Sequence, residues 1–148
     1  YATGSKPVAE WNVRGDVESA KMFVNSGADL LFAGLDVTTF VKLDEENRTR
    51  LLYRNSPLTD ALCGLYTLWR YESYAYPNCT MFDGVAVGMV LWPELFTTKK
   101  VHVSVDDEGY TRIDETKEPN CEIGVTIDSA EFINRMMKRL LMQNFTRN

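Results

Sequence analysis

The chain has 148 residues, 45% of them hydrophobic and 25% charged, which is enough apolar material for the core of about one domain and excludes a disordered chain. A formal net charge of −5 argues against nucleic acid and anionic membrane surfaces as partners held by bulk charge. No apolar stretch approaches the ~20 residues that a membrane-spanning helix needs, so no span is predicted.

The cysteine and histidine content limits the metal chemistry. The 3 cysteines form no C-x-x-C pair and the chain has 1 histidine, His102, a composition that does not favour a zinc site. We interpret the cysteines as reduced, mostly buried thiols. The first residue is Tyr1 and not methionine, and no signal-peptide pattern follows it, which indicates a cut or processed beginning.

The first half of the chain predicts alternating helix and strand. In chain order we expect a loop over 1–13, a helix over 17–26, a strand over 29–34, a helix over 42–55 that begins near residue 44, and a helix over 58–72. Asp16 is expected to cap the first helix, with Ala20, Phe23 and Val24 on its buried face. The strand is apolar without alternation, which is typical of burial on both faces in a parallel sheet. The helix over 58–72 is apolar on most sides, so we expect it to be well buried.

The second half predicts a hairpin and a final helix. In chain order we expect an aromatic loop over 73–82, a helix over 83–91, a strand over 100–106 paired with 110–113 through a turn at 107–109, a strand over 121–127 and a helix over 129–142. Asp128 is expected to cap the last helix, and Phe132 begins its core stripe. His102 is expected at the surface. Together the elements indicate an α/β fold from which the early strands of the sheet are missing.

Three segments, taken in order, resemble the nucleoside hydrolase family. Residues 9–12 (A-E-W-N), with an aspartate and an alanine downstream, are similar to the family's A-E-[FW]-N…D-x-x-A-A stretch. Residues 34–38 (G-L-D-V-T) are similar to its G-L-D-V-T strand end. Residues 82–87 (F-D-G-V-A-V), followed by P-E-L-F at 93–96, are similar to its H-D-P-x-A-x-A…P-E-L-F. On these segments the chain resembles the C-terminal half of an inosine-uridine preferring nucleoside hydrolase.

The resemblance implies a fold, an activity and a cofactor. The fold is a nucleoside hydrolase-like α/β domain, and residues 1–148 are expected to form its C-terminal portion, a mostly parallel sheet with flanking helices and a small β-hairpin. The activity is calcium-assisted hydrolysis of the N-glycosidic bond of ribonucleosides through an oxocarbenium-like transition state, which yields ribose and a free base. The implied partners are a nucleoside substrate and, at full length, further copies of the protein in a dimer or tetramer. Neither nucleic acid nor a membrane is an expected partner.

The resemblance also implies roles for individual residues. Asp83 matches the family's late calcium ligand, while its position alone predicts an N-cap. Glu10 and Asn12 match the pair that hydrogen-bonds the ribose hydroxyls. On an extended segment the two would point to one side while Trp11 turns away, although an exposed loop carboxylate and amide are the alternative. Phe82 stands where the family commonly has a histidine that is thought to assist the leaving base, and a phenylalanine has no proton to give.

An aromatic cluster upstream of residue 82 is the candidate base pocket. Its members are Tyr66, Trp69, Tyr71, Tyr74 and Tyr76. We expect Tyr71 and Tyr74 to stack on the base and Trp69 to lie in the core. Asp36 and Thr38 belong to a family motif, but we interpret them as closing a strand end, outside the site. Gly4 stands where the family often has an asparagine that touches the ribose.

The family's aspartate-rich cluster, D-x-D-x-G-x-D-D, does not occur in the sequence. Because that cluster supplies most calcium ligands and the general base, we expect the base in an upstream half and expect this chain alone to be inactive. Two alternatives stay open. The chain could come from a non-catalytic nucleoside- or sugar-binding relative, which the phenylalanine at position 82 would suit, or from a structural domain of a larger assembly.

Overall fold

Helices and two-residue strands are interspersed up to residue 91, and a hairpin, a further strand and a 14-residue helix follow. The computed structural model describes residues 7–72, 76 and 78–143. The helices are α1 (Trp11–Gly15), α2 (Val17–Val24), α3 (Leu35–Thr38), α4 (Glu45–Arg54), α5 (Pro57–Glu72), α6 (Phe82–Leu91) and α7 (Ser129–Met142), with a 3₁₀ turn at Pro93–Leu95. The strands are β1 (Leu31–Phe32), β2 (Lys42–Leu43), β3 (Cys79–Thr80), β4 (Phe96–Val105), β5 (Thr111–Asp114) and β6 (Cys121–Ile127).

The principal sheet has the strand order β1-β6-β4-β5. Strand β1 pairs parallel with β6, with Leu31 opposite Glu122, whereas β4 pairs antiparallel with both β5 and β6. Strands β2 and β3 form a separate antiparallel pair. The α/β class is therefore confirmed, and so are the hairpin and the parallel pairing of the first strand. The described sheet is mixed, and the expectation of a mostly parallel sheet is wrong for this portion.

Local hydrogen bonds begin the helices where the sequence predicts. The carboxylates of Asp16 and Asp128 accept from the backbone N–H three residues on, at 3.0 Å in both cases, so both predicted caps are confirmed. Asp44 caps α4 in the same way, with 2.9 Å from its Oδ1 to the N–H of Asn47. The loop predicted over 1–13 is wrong at its end, because residues 11–15 form α1.

Helix α7 packs on α6 through one large side chain. Phe132 is fully buried, and its ring meets those of Trp92 and Phe96 edge-on at centroid distances of 5.5 and 6.0 Å. A Cβ atom at Gly88 would lie 2.0 Å from Phe132 Cε2, so only glycine allows this approach. A second core group joins α2 to the sheet; it comprises Val24, Val101, Val103, Val105 and Cys121.

Several faces that the sequence predicts to be buried are exposed. Phe23 is 54% exposed, and on α5 Leu65 and Leu68 are 62% and 69% exposed, so the burial predicted for that helix is wrong. Leu31, at the edge of the described sheet, is 45% exposed. An apolar pattern indicates which residues can be buried, and exposed apolar side chains are common at protein surfaces. In the described residues no helix is both long and apolar enough to cross a membrane.

Candidate active site

One cavity collects most of the side chains that the motifs single out. It has a volume of about 940 Å³ and lies between α1, α2, the β1–α3 loop, the start of α6 and the β4–β5 hairpin. Glu10, Asn12, Phe82 and Asp83 all line it, although 69 residues or more separate the first pair from the second along the chain. The tertiary structure thus brings together four of the predicted site residues.

Glu10 and Asn12 form a hydrogen-bonded unit at the start of α1. Glu10 is the N-cap: its Oε2 accepts from the N–H groups of Asn12 and Val13 at 2.8 and 3.0 Å. Its Oε1 accepts from the side-chain amide of Asn12 at 3.2 Å. The predicted extended segment is therefore wrong at Asn12, which is helical, and the cap holds the pair together instead of strand alternation. Trp11 does turn away, at 79% exposed.

Asp83 is the second residue of α6 and faces the cavity. The N-cap of that helix is Met81, which makes no side-chain capping bond, so the interpretation of Asp83 as an N-cap is wrong. A carboxylate in the first turn of a 10-residue helix is favoured by the helix dipole and by the free N–H groups there. Asp83 is exposed, so its oxygens are available to a ligand that enters the cavity.

Phe82, the first residue of α6, is 46% exposed at the cavity wall. Its ring offers an apolar surface beside the carboxylate of Asp83. The arrangement supplies a face against which a base or a sugar can pack, without a group that transfers a proton.

Asp36 and Thr38, which the sequence predicts to close a strand end outside the site, line the same cavity. Thr38 is 3% exposed, and its hydroxyl has no hydrogen-bond partner among the described residues. The neighbouring Thr39 behaves differently, since its hydroxyl donates to the carbonyl of Leu35 at 2.7 Å. The G-L-D-V-T segment was the signal that could have placed both residues in the site.

The unpartnered hydroxyl leads to a prediction about stability. Thr59 is a matched control, because it is also buried but accepts from the N–H of Ser56 at 3.0 Å and donates to the carbonyl of Ser56 at 3.2 Å. Thr59→Val should lower the free energy of unfolding by about 1–3 kcal/mol, since it leaves buried groups unpaired. Thr38→Val should leave it unchanged or raise it. Urea denaturation of both variants measures the difference, and equal losses would show that Thr38 has a partner in the free protein.

The β4–β5 hairpin forms a wall of the cavity that sequence reasoning missed. Its residues 110–113 line the cavity. The guanidinium of Arg112 lies over the ring of Tyr110 at 4.8 Å, and its Nε donates to Asp106 Oδ2 at 3.0 Å. The N–H of Tyr110, then the guanidinium of Arg112, keep the pKa of the Asp106 carboxyl below its ordinary value. No sequence motif marks these residues. They line the cavity because the folded chain brings the hairpin next to it.

Of the two aromatic residues expected at the base, the one that the structure describes lies outside this cavity. Tyr71 is 88% exposed at the end of α5 and does not line it. Tyr74 lies outside the described residues, as does Gly4. His102 is half-buried on β4, outside the cavity, with its Nδ1 2.9 Å from the carbonyl oxygen of Glu118.

The described residues supply only part of a metal-binding set. Among them, no group of three or more histidine, cysteine, aspartate or glutamate side chains is close enough to hold an ion. The cavity does present the carboxylates of Asp36 and Asp83, and carboxylate oxygens are the donors that hard cations such as Ca²⁺ prefer. Their chemistry fits such an ion, but their number falls short of the six to eight ligands that Ca²⁺ takes.

Comparison with known proteins shows which family and which relatives the chain resembles. Residues 2–134 match the family model described as inosine-uridine preferring nucleoside hydrolase. The chain is 34% identical to uridine nucleosidase 1 of Arabidopsis thaliana, over 70% of this chain and 32% of the relative. It is 29% identical to the pyrimidine-specific ribonucleoside hydrolase RihA of Citrobacter koseri, over 90% of this chain and 47% of the relative. The chain therefore spans about half the length, or less, of these curated relatives.

Solved structures confirm the fold that the resemblance implies. A purine-preferring ribonucleoside hydrolase from Gardnerella vaginalis superposes with a TM-score of 0.78 at 26% identity, over 90% of this chain and 46% of that one. A plant nucleoside hydrolase superposes with a TM-score of 0.80, over 90% of this chain and 48% of that one. At 22% identity the second match supports a shared fold and nothing more.

Proposed function

The chain belongs to the inosine-uridine preferring nucleoside hydrolase family, and on that premise we propose that the protein containing it hydrolyses the N-glycosidic bond of ribonucleosides to ribose and a free base. The observation that carries the proposal is the convergence of Glu10, Asn12 and Asp83 on one cavity of about 940 Å³. That volume suits a small-molecule ligand such as a nucleoside.

Glu10 and Asn12 bind the ribose in this proposal. A carboxylate offers about four acceptor positions, and α1 uses three of those on Glu10, which leaves room for one ribose hydroxyl. The amide of Asn12, oriented by its bond to Glu10, presents a neighbouring polar group to the sugar. Because the cap fixes both side chains before the ligand arrives, little conformational entropy is lost on binding.

Asp83 is the proposed contribution of this chain to a Ca²⁺ site, and Asp36, which lines the same cavity, is a second candidate ligand. When bound, the ion supplies a positive charge that attracts the sugar hydroxyl oxygens and makes an adjacent water more acidic. The remaining ligands and the general base are proposed to come from an upstream part of the protein, because this sequence contains no aspartate-rich cluster.

The leaving base needs its proton from a group other than Phe82. In this proposal the ring packs against the ligand and keeps water from that side of the cavity. The proton then comes from solvent or from a tyrosine of the 71–76 segment. Tyr74 remains a proposal for the base pocket, whereas Tyr71 does not line the cavity. As the family resemblance implies, the full-length protein is proposed to be a homo-oligomer, which light scattering on the purified protein would test.

Ribose release by the full-length protein, with and without Ca²⁺, tests the function. We expect hydrolysis of purine or pyrimidine nucleosides that falls when the ion is chelated and returns when it is restored. Binding of a nucleoside without any ribose release would instead assign the protein to a non-catalytic, sugar-binding role.

Residues 1–148 alone should neither hydrolyse nucleosides nor bind Ca²⁺ tightly. Asp36 and Asp83 by themselves cannot compete with water for an ion that takes six to eight oxygen ligands. Isothermal calorimetry with CaCl₂ measures this directly. A micromolar dissociation constant for this chain would show that its own residues complete the site.

A further inference from the structure

The turn of the β4–β5 hairpin touches the backbone of the helix that carries Glu10 and Asn12. A Cβ atom added to Gly109 would lie 2.9 Å from Arg14 Cα, 3.2 Å from Arg14 Cβ and 3.3 Å from Arg14 N. Gly109 also has a φ of +82°, a left-handed conformation that favours glycine. The absence of a side chain at this residue therefore permits direct backbone contact between two segments about 95 residues apart.

The turn is held from within and from α2. Asp106 accepts from the N–H groups of Glu108 and Tyr110 at 3.1 and 2.9 Å, and its carbonyl accepts from the N–H of Gly109 at 3.1 Å. Outside the turn, Lys21 on α2 donates to the carboxylate of Asp107 at 2.6 Å. A turn fixed in this way can define the position of whatever packs against it.

Helix α1 depends on such support. It has 5 residues, too few to be stable without tertiary contacts. On the side of the sheet, Val13 packs against the core group of α2 and β4. On the side of the hairpin, Arg14 meets Gly109. The N–H groups that the Glu10 carboxylate caps belong to Asn12 and to Val13 itself, directly before Arg14.

We propose that the β4–β5 turn is a positioning element for the Glu10–Asn12 wall of the cavity, with Gly109 as the residue that sets the distance. The inference rests on the proposed function, in which that wall binds ribose. A methyl group at residue 109 requires α1 or the turn to move by roughly 0.5–1 Å to reach ordinary van der Waals separation. Misplacement of about 1 Å in binding groups can lower catalytic efficiency about 10²-fold.

The test compares Gly109→Ala with Gly27→Ala in the full-length protein. Gly27 is a matched control, because its φ is +75° and a Cβ there meets nothing within 4 Å. Both substitutions place a residue with a Cβ atom in the left-handed region, but only Gly109→Ala also creates a clash with Arg14. Gly109→Asn adds a second comparison, since asparagine tolerates the left-handed region and still has a Cβ atom.

Hydrogen exchange of the amides of residues 12–14 provides a readout that does not depend on activity. All three N–H groups bond to Glu10, the first two to its carboxylate and the third to its carbonyl. We expect exchange at least 10-fold faster in Gly109→Ala and in Gly109→Asn, and unchanged exchange in Gly27→Ala. Unchanged exchange in Gly109→Ala, or restored protection in Gly109→Asn, overturns the proposal.

Kinetics then connect the position of α1 to the ligand. If the unsubstituted protein releases ribose, kcat/KM should fall about 10–100-fold in Gly109→Ala and Gly109→Asn but not in Gly27→Ala. Equal kcat/KM in all folded variants overturns the positioning role alone. Lack of ribose release by the unsubstituted protein overturns the proposed function, and the exchange experiment still decides whether the turn positions α1.

Discussion

Asp83→Asn in the full-length protein is expected to lower both Ca²⁺ affinity and turnover by more than the roughly 10–100-fold typical of residues that only orient a metal ligand. The substitution keeps the size of the side chain and removes a formal charge from the proposed ion site. Because Met81 and not Asp83 is the N-cap of α6, no capping bond is lost with it. The helix loses only a favourable charge–dipole interaction of about 0.3–1 kcal/mol. An effect on ion binding can therefore be distinguished from an effect on folding.

Glu45→Gln is the matched control for Asp83→Asn. Glu45 is an exposed carboxylate in the first turn of α4, which like α6 has 10 residues, and it does not line the cavity. It should lose the same helix interaction without any effect on turnover. Calorimetry with CaCl₂ measures the Ca²⁺ affinity of each variant, and a ribose-release assay measures its turnover. Turnover near that of the unsubstituted protein in Asp83→Asn would limit the residue to stabilising the helix.

Phe82→His is expected to raise turnover on nucleosides whose base is a poor leaving group. General acid assistance contributes roughly 10²–10⁴-fold when the geometry is right, so even a poorly aligned imidazole should be detectable. Residue 82 is 46% exposed and lines the cavity beside Asp83, which places the new imidazole within the site. A pH–rate profile of the variant against the unsubstituted protein measures the effect.

The pH dependence of that variant has a definite sign. The imidazolium is the acid, so the gain should be present below its pKa and lost as the pH rises through it. An unperturbed histidine titrates near ~6.5, so the new pH dependence is expected near that value. Phe82→Asn is the control, because it is polar but does not titrate in this range. Phe82→His with unaltered rate and pH profile would mean that residue 82 does not face the leaving base.

Sequence patterns predict correctly the features that depend on neighbours three or four residues away. Asp16 and Asp128 begin their helices because each carboxylate reaches an N–H one turn ahead, which is a local interaction. The motif residues Glu10, Asn12 and Asp83 could also be chosen in advance, since the family resemblance marks them. Their common cavity could not be derived from spacing alone.

Burial was the least predictable property, because it depends on what covers a face. The apolar pattern of α5 indicates a buried helix, yet Leu65 and Leu68 are exposed in the described structure. The role of Asp83 in its helix was also predicted wrongly, because of a small error in the helix boundary. Its position after a loop predicted an N-cap, but the helix begins one residue earlier, which moves the carboxylate to the first turn and leaves it facing the cavity.

Assembly of the site depends on long-range packing, which no local pattern in the sequence predicts. Tyr110 and Arg112 carry no motif, and they line the cavity because β4 and β5 pair in a register that extends the hairpin to α1. Gly109 could be read from the sequence as a turn residue, but its contact with Arg14 joins segments that no local pattern connects. The physical reason is that the conformation of a turn depends on a few adjacent residues, whereas the packing of two backbones depends on the whole arrangement of sheet and helices around them.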